Sequence, residues 1–141
     1  MIYYLDTSAL VKRYVAEPGS QAVRRTIGAK TVATSRVAYA ELAATAARLA
    51  REGSIDLRGR DRILTRLEAD FAAMTVVELR PVVLRKAAEL VTRAPLRGYD
   101  AVHLASAVVL AQRGASVDFW SSDALLVRAA RAEGLRATAL G

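Results

Sequence analysis

Four acidic residues stand where a carboxylate has to be explained. Asp6 ends the apolar run of I-Y-Y-L-D-T-S, Glu41 lies inside V-A-Y-A-E-L-A-A-T-A-A, Asp100 opens D-A-V-H-L-A, and Asp123 follows V-D-F-W-S-S. Asp6, Asp100 and Asp123 each have a local explanation, because an aspartate at a helix N-cap accepts backbone N–H bonds and contributes ~1 kcal/mol. Glu41 cannot be a cap: it sits well inside a helical pattern, with no other charge between Arg36 and Arg48. Two readings stand for it, a narrow solvent stripe shared with Thr45 and Arg48, or a buried acid that must be paired or bound to a cation. Four such carboxylates are the raw material of a hard-cation site. Oxygen ligands suit Mg²⁺ and Mn²⁺, and a cation screens the repulsion between converging acids. The spacing 6, 41, 100 and 123 has no metal signature of its own, so the chemistry depends on the fold bringing the four together.

The elements that would position them read as an alternation. Short β-rich runs at 2–5, 31–34, 76–79, 117–120 and 137–140 are separated by helical patterns at about 7–16, 20–28, 35–52, 57–74, 81–94, 100–113 and 123–133. Pro18-Gly19, Gly53, Pro81, Pro95 through Gly98, Gly114 and Gly134 punctuate them, and 35–74 reads as a helical hairpin hinged at Gly53. Strand and helix in turn predict a three-layer α/β/α sandwich with a mostly parallel sheet, one domain over residues 1–141. Ligands of such sheets bind outside the carboxyl ends of the strands. Asp6 and Asp123 both fall at strand ends.

Composition narrows the classes further. A chain of 141 residues is one ordinary domain and buries roughly 70% of its unfolded surface without a disulfide or metal staple. There is no cysteine, which excludes a thiol nucleophile, a disulfide framework and a thiolate metal site. With neither a signal-peptide pattern nor an apolar run of ~18 residues, the chain is expected to be soluble and cytoplasmic. The 21 Lys and Arg against 14 Asp and Glu give a net charge of +7, which points to an anionic partner, nucleic acid first. Lys12 and Arg13, close after Asp6, with Arg36 and Arg97, are the candidate phosphate contacts; an ordinary solvated face is the other reading. Aromatics are only 6% of the chain, and no stacking platform for single-stranded bases is visible in the sequence.

The ordered set L-D-T-S-A-L, A-E-L, Y-D-A-V-H-L-A and W-S-S-D-A-L-L-V-R-A-A-R-A-E-G-L resembles a PIN domain, and within that family the VapC-like ribonuclease toxins. The resemblance implies a compact α/β/α fold whose acids bind Mg²⁺ or Mn²⁺ and hydrolyse RNA, leaving a 5′-phosphate and a 3′-hydroxyl. Asp6 matches the family's first aspartate, Glu41 its helical glutamate, Asp100 its third acid and Asp123 the acid of the T-x-D motif. Asp6 and Asp100 would be the main metal ligands, with Glu41 and Asp123 completing or orienting the cluster. Ser121 stands where that motif usually has threonine, which keeps the hydroxyl. Ser8 is similar to the family's small polar residue at that position; it has helix capping as its plainer role and orientation of a carboxylate or water as its functional one. His103, one turn after Asp100, is expected to pack or support the acids rather than catalyse. Asp118 does not match the motif and stays outside the site. The resemblance further implies an RNA substrate, a cognate VapB-like antitoxin and a homodimer. Two rivals remain: a haloacid-dehalogenase-like phosphatase, which wants an aspartate where this chain has Ser8, and a non-catalytic PIN-fold module that binds RNA or a partner.

Overall fold

Runs rich in β-branched and aromatic residues form β1 Ile2–Leu5, β2 Thr31–Ser35, β3 Thr75–Val77 and β4 Val117–Ser121, and a fifth strand, β5 Arg136–Ala139, has only Thr138 of that kind. In the computed structural model, which describes residues 1–141, they make one sheet in the order β3-β2-β1-β4-β5. Every neighbouring pair is parallel. The connections are helical: α1 Thr7–Leu10, α2 Ser20–Ala29, α3 Val37–Arg51, α4 Leu57–Ala73, α5 Pro81–Arg93, α6 Gly98–Gln112 and α7 Ala124–Ala132.

The strands are apolar on both faces, as a parallel sheet covered on both sides demands. Tyr4 and Phe119 point to one face and pack with Leu90, Leu104 and Leu126 from α5, α6 and α7. Their neighbours Leu5 and Trp120 point to the other, against Leu10, Leu42 and Leu67 from α1, α3 and α4. The period of two along each strand thus divides one sequence run between two cores. Of the central helices, α6 is the most enclosed, with every residue from Ala101 to Val109 buried.

Most elements lie within two residues of the sequence expectation, the third strand at Thr75–Val77 rather than 76–79, and two differences matter for the architecture. The helix expected over 7–16 is only α1 plus a 3-10 turn, Val11–Arg13, after which Tyr14 and Val15 both donate to the Val11 carbonyl. Pro18 forces its predecessor out of helical geometry, and Gly19 adopts a left-handed φ of 93° that starts α2. The second difference bears on the site: α6 begins at Gly98, not at Asp100, so Asp100 lies in its first turn and caps nothing.

The strand order fixes where a ligand can sit. β1 has β2 on one side and β4 on the other; the connection after β1 runs to β2 and the one after β4 runs the opposite way to β5, so a crevice opens at the carboxyl ends of β1 and β4. Asp6 follows β1 directly, and Ser121 to Asp123 end β4.

Candidate active site

Asp6 is almost fully enclosed, with 3% of its surface exposed, and its two oxygens are occupied differently. Oδ1 accepts from the Ala9 N–H at 2.9 Å, capping α1, and from Ser8 Oγ at 2.7 Å. Oδ2 accepts from Ser121 Oγ at 2.6 Å, across the junction between β1 and β4. Ser8 also accepts the Ser122 N–H at 2.9 Å, and Ser121 accepts the Asp123 N–H at 3.0 Å. The two serines therefore tie the end of β4 to the end of β1. Capping and site-building are compatible at Asp6, because the same carboxylate does the first with one oxygen and is oriented by serine hydroxyls at both.

Glu41 does not lie on a solvent stripe. Thr45 bonds the Glu41 backbone carbonyl and Arg48 pairs with Glu52, whereas the half-buried Glu41 carboxylate turns towards α1 and α6. Its Oε1 accepts from Thr7 Oγ1 at 2.5 Å and lies 3.0 Å from His103 Nε2. His103, buried to 1%, places its other nitrogen 2.9 Å from the Tyr4 hydroxyl, and its Nε2 is also 3.0 Å from Thr7 Oγ1. Tyr4 donating to Nδ1 leaves an Nε2–H that points at Glu41 and Thr7, which satisfies every group in the set. Burial pushes the Glu41 carboxyl up, but the hydrogen bonds from His103 and Thr7 outweigh it and hold the group below its ordinary value. Thr7 and Tyr4 were not singled out from sequence; the pair of hydroxyl residues after Asp6 was the available signal for Thr7.

Asp100 is the exception in this set, a half-buried carboxylate with no hydrogen bond from the protein. Burial raises its carboxyl above the ordinary value, and the negative charges of Asp123, Asp6 and Glu41 raise it further, against a smaller opposing effect of His103. That repulsion is the physical sign that the four acids face one region. Asp123 stands exposed at the rim, capping α7 through the N–H groups of Leu125 and Leu126. Asp118 is elsewhere, held on β4 by the Thr138 hydroxyl of β5 at 3.0 Å. Beside the acids, Glu41, Asp100, Arg97, Gly98, Tyr99 and Val102 line an open cleft of about 570 Å³.

The PIN domain family model matches residues 3–132. The chain belongs to the PIN domain family. It is 36% identical over 140 residues to Ribonuclease VapC49 of Mycobacterium tuberculosis, covering 96% of this chain and 93% of that one. Among solved structures, VapBC2 from Rickettsia felis bound to a DNA fragment from their promoter is similar in fold, with a TM-score of 0.69 at 15% identity and full coverage of both chains. A toxin-antitoxin complex from Klebsiella pneumoniae matches with a TM-score of 0.62 at 14% identity, over 86% of each chain.

In this PIN domain the donor set suits a hard cation, all of it oxygen and one member lacking any partner. No three of the acidic or histidine side chains form a ready-made cage. An open set is compatible with Mg²⁺, which usually keeps several waters and takes one or two carboxylates. The basic residues divide sharply. Lys12 is buried to 4% and pairs with Glu17 at 3.0 Å, because the turn at Pro18-Gly19 folds back over it, so it cannot reach a phosphate in solution. Arg13 is engaged by both oxygens of Asp70, and Arg36 by Glu78 at 2.6 Å. Arg97, exposed at the start of α6, alone among the four lines the acidic cleft and has no carboxylate partner.

Proposed function

We propose that this chain is a Mg²⁺- or Mn²⁺-dependent endoribonuclease and the toxin of a toxin-antitoxin pair. The observation that carries the reading is Asp100, a carboxylate without a hydrogen-bond partner that feels the negative charge of three other acids near the switch point of a parallel sheet. The 36% identity to a protein named as a ribonuclease supports the reaction class. A divalent cation bound here would supply a water of lowered pKa and screen the charge of the phosphodiester. Asp6 and Asp100 would present the oxygens for it. The serines at 8 and 121 keep the Asp6 carboxylate fixed before any ligand arrives. Thr7 and His103 do the same for Glu41, whose lowered carboxyl would supply negative charge to a bound cation. Asp123 completes the rim, and Arg97 offers a guanidinium to a neighbouring phosphate.

A VapB-like antitoxin and a homodimer belong to the same proposal, the antitoxin supported by the likeness to the two complexes described above. A cytoplasmic setting fits a chain with no helix long and apolar enough to cross a membrane and no cysteine. The non-catalytic alternative has one point in its favour, the lack of a ready-made cage.

Sequencing the ends of RNA after incubation with the purified chain decides between them. Cleavage that requires Mg²⁺ or Mn²⁺, leaves 5′-phosphate and 3′-hydroxyl ends and vanishes in Asp6→Asn and Asp100→Asn supports the nuclease. Cleavage that survives both substitutions sinks this assignment, and RNA binding without cleavage leaves the binding module.

A further inference from the structure

We infer that Tyr99 is a stacking platform for an unpaired base of an RNA strand that enters the acidic cleft. This rests on the ribonuclease reading and names the form of the substrate. Of the eight aromatic residues, Tyr99 alone is mostly exposed, at 61%; the others are buried or partly enclosed. Its place in the chain leaves it no packing role. The buried run of α6 starts one residue beyond Asp100, while Tyr99 and Arg97 project from the first turn into the opening that Glu41 and Asp100 also line. Gly98 between them adds no side chain, and apart from its two chain neighbours nothing stands within 4 Å of where its Cβ would be.

Position and rigidity argue together. Tyr99 is covalently next to Asp100, with Cα atoms about 3.8 Å apart, so a strand whose phosphodiester lies at the acidic cluster has a flanking base within reach of the ring. The ring sits on a helix anchored by nine consecutive buried residues, Ala101 to Val109, so little freedom is lost on stacking. Arg97 on the preceding turn offers a charge to the backbone of the same strand. Guanidinium and aromatic ring side by side are the two components of single-strand recognition, and stacking tolerates sequence because every base has a π-face. A paired base has its faces covered in the duplex, so this edge selects unpaired RNA.

The test uses the full chain carrying Asp6→Asn to stop turnover, in Mg²⁺, with two probes: a short mixed-sequence single-stranded RNA and an abasic ribose-phosphate strand of the same length. Tyr99→Ala is expected to weaken the RNA by about tenfold and leave the abasic strand unchanged, with Tyr99→Phe close to the parent on both. Arg97→Ala is expected to weaken both probes and flatten the salt dependence. Tyr99→Ala that leaves RNA binding intact overturns the inference and frees this face for a protein partner. Equal losses on both probes overturn it too, since stacking has no purchase on an abasic strand. Cleavage by the unsubstituted chain is measured alongside. Cleavage without a Tyr99 effect removes the inference alone, whereas absence of cleavage removes the nuclease reading beneath it.

Discussion

Asp70 on α4 and Asp100 on α6 are both partly buried aspartates, and they are held in opposite ways. The Asp70 carboxylate accepts from Arg13 Nε at 2.7 Å, Arg13 Nη2 at 2.9 Å and the Tyr14 hydroxyl at 2.5 Å. Burial pushes its carboxyl up, but those bonds and the Arg13 charge prevail and hold it below the ordinary value. Asp100 has no donor, and the charges around it are mostly negative, so burial and repulsion act in the same direction. Similar burial with opposite surroundings separates two uses of one residue type. A carboxylate closed by a guanidinium fork is finished structure, whereas one among other acids gains by binding a cation.

The widest gap between the two regions is in activity. Asp6→Asn and Asp100→Asn are expected to lower metal-dependent RNA cleavage by about 10³-fold, on the scale of losing a principal electrostatic stabiliser. Asp70→Asn should leave the rate per folded molecule within twofold, and single-turnover kinetics measures both. Stability reverses the order. Asp70→Asn should cost about 2 kcal/mol in urea unfolding, because it discards charge-assisted bonds and leaves Arg13 and Tyr14 unmatched. Asp100→Asn should stabilise by a fraction of a kcal/mol, a small figure because the group is partly exposed and solvent screens it.

The pH dependence sharpens the contrast, since the two signs are opposite. The Asp70 carboxyl is lowered in the folded state, so its contribution is full above the unfolded value and is lost as pH falls through the folded one. The penalty of Asp70→Asn should therefore shrink in acid. The Asp100 carboxyl is raised, so stability is present below its unfolded value and is lost as pH rises through the folded one. The gain from Asp100→Asn should accordingly appear at neutral pH and vanish in acid. Urea titrations of both variants at the two pH values read this directly. A smaller effect is expected at Ser121→Ala, which removes the donor to Asp6 Oδ2 and should raise the Mn²⁺ concentration needed for half-maximal cleavage by about tenfold.

What the sequence could show depended on distance along the chain. The first four strands were legible because each is a short β-branched or aromatic run, and the ends of β1 and β4 placed Asp6 and Asp123 at one edge. The partners were not. Arg13 reads as a free cation beside Asp6 until the fold brings Asp70 to it from 57 residues away, and Lys12 until Pro18-Gly19 turns Glu17 back over it. Glu41 could be recognised as anomalous on its helix, but Thr7 and His103, which hold it, and Tyr4, which holds His103, come from the N-terminal segment and from α6. Asp100 looked like a cap because the apolar pattern starts after it; the helix in fact begins at Gly98, with no side-chain cap at Arg97. Tyr99 was hidden by a count. Few aromatics showed no stacking platform in the sequence, and only the fold shows that one exposed ring, Tyr99, lines the cleft.

The most direct measurement is calorimetric titration of Mn²⁺ into three forms of the metal-free chain: unsubstituted, Asp100→Asn and Asp70→Asn. Saturable binding to the unsubstituted chain, lost in Asp100→Asn and retained in Asp70→Asn, is the expected result. Equal Mn²⁺ binding by the unsubstituted chain and Asp100→Asn would contradict a cation site built on these four carboxylates.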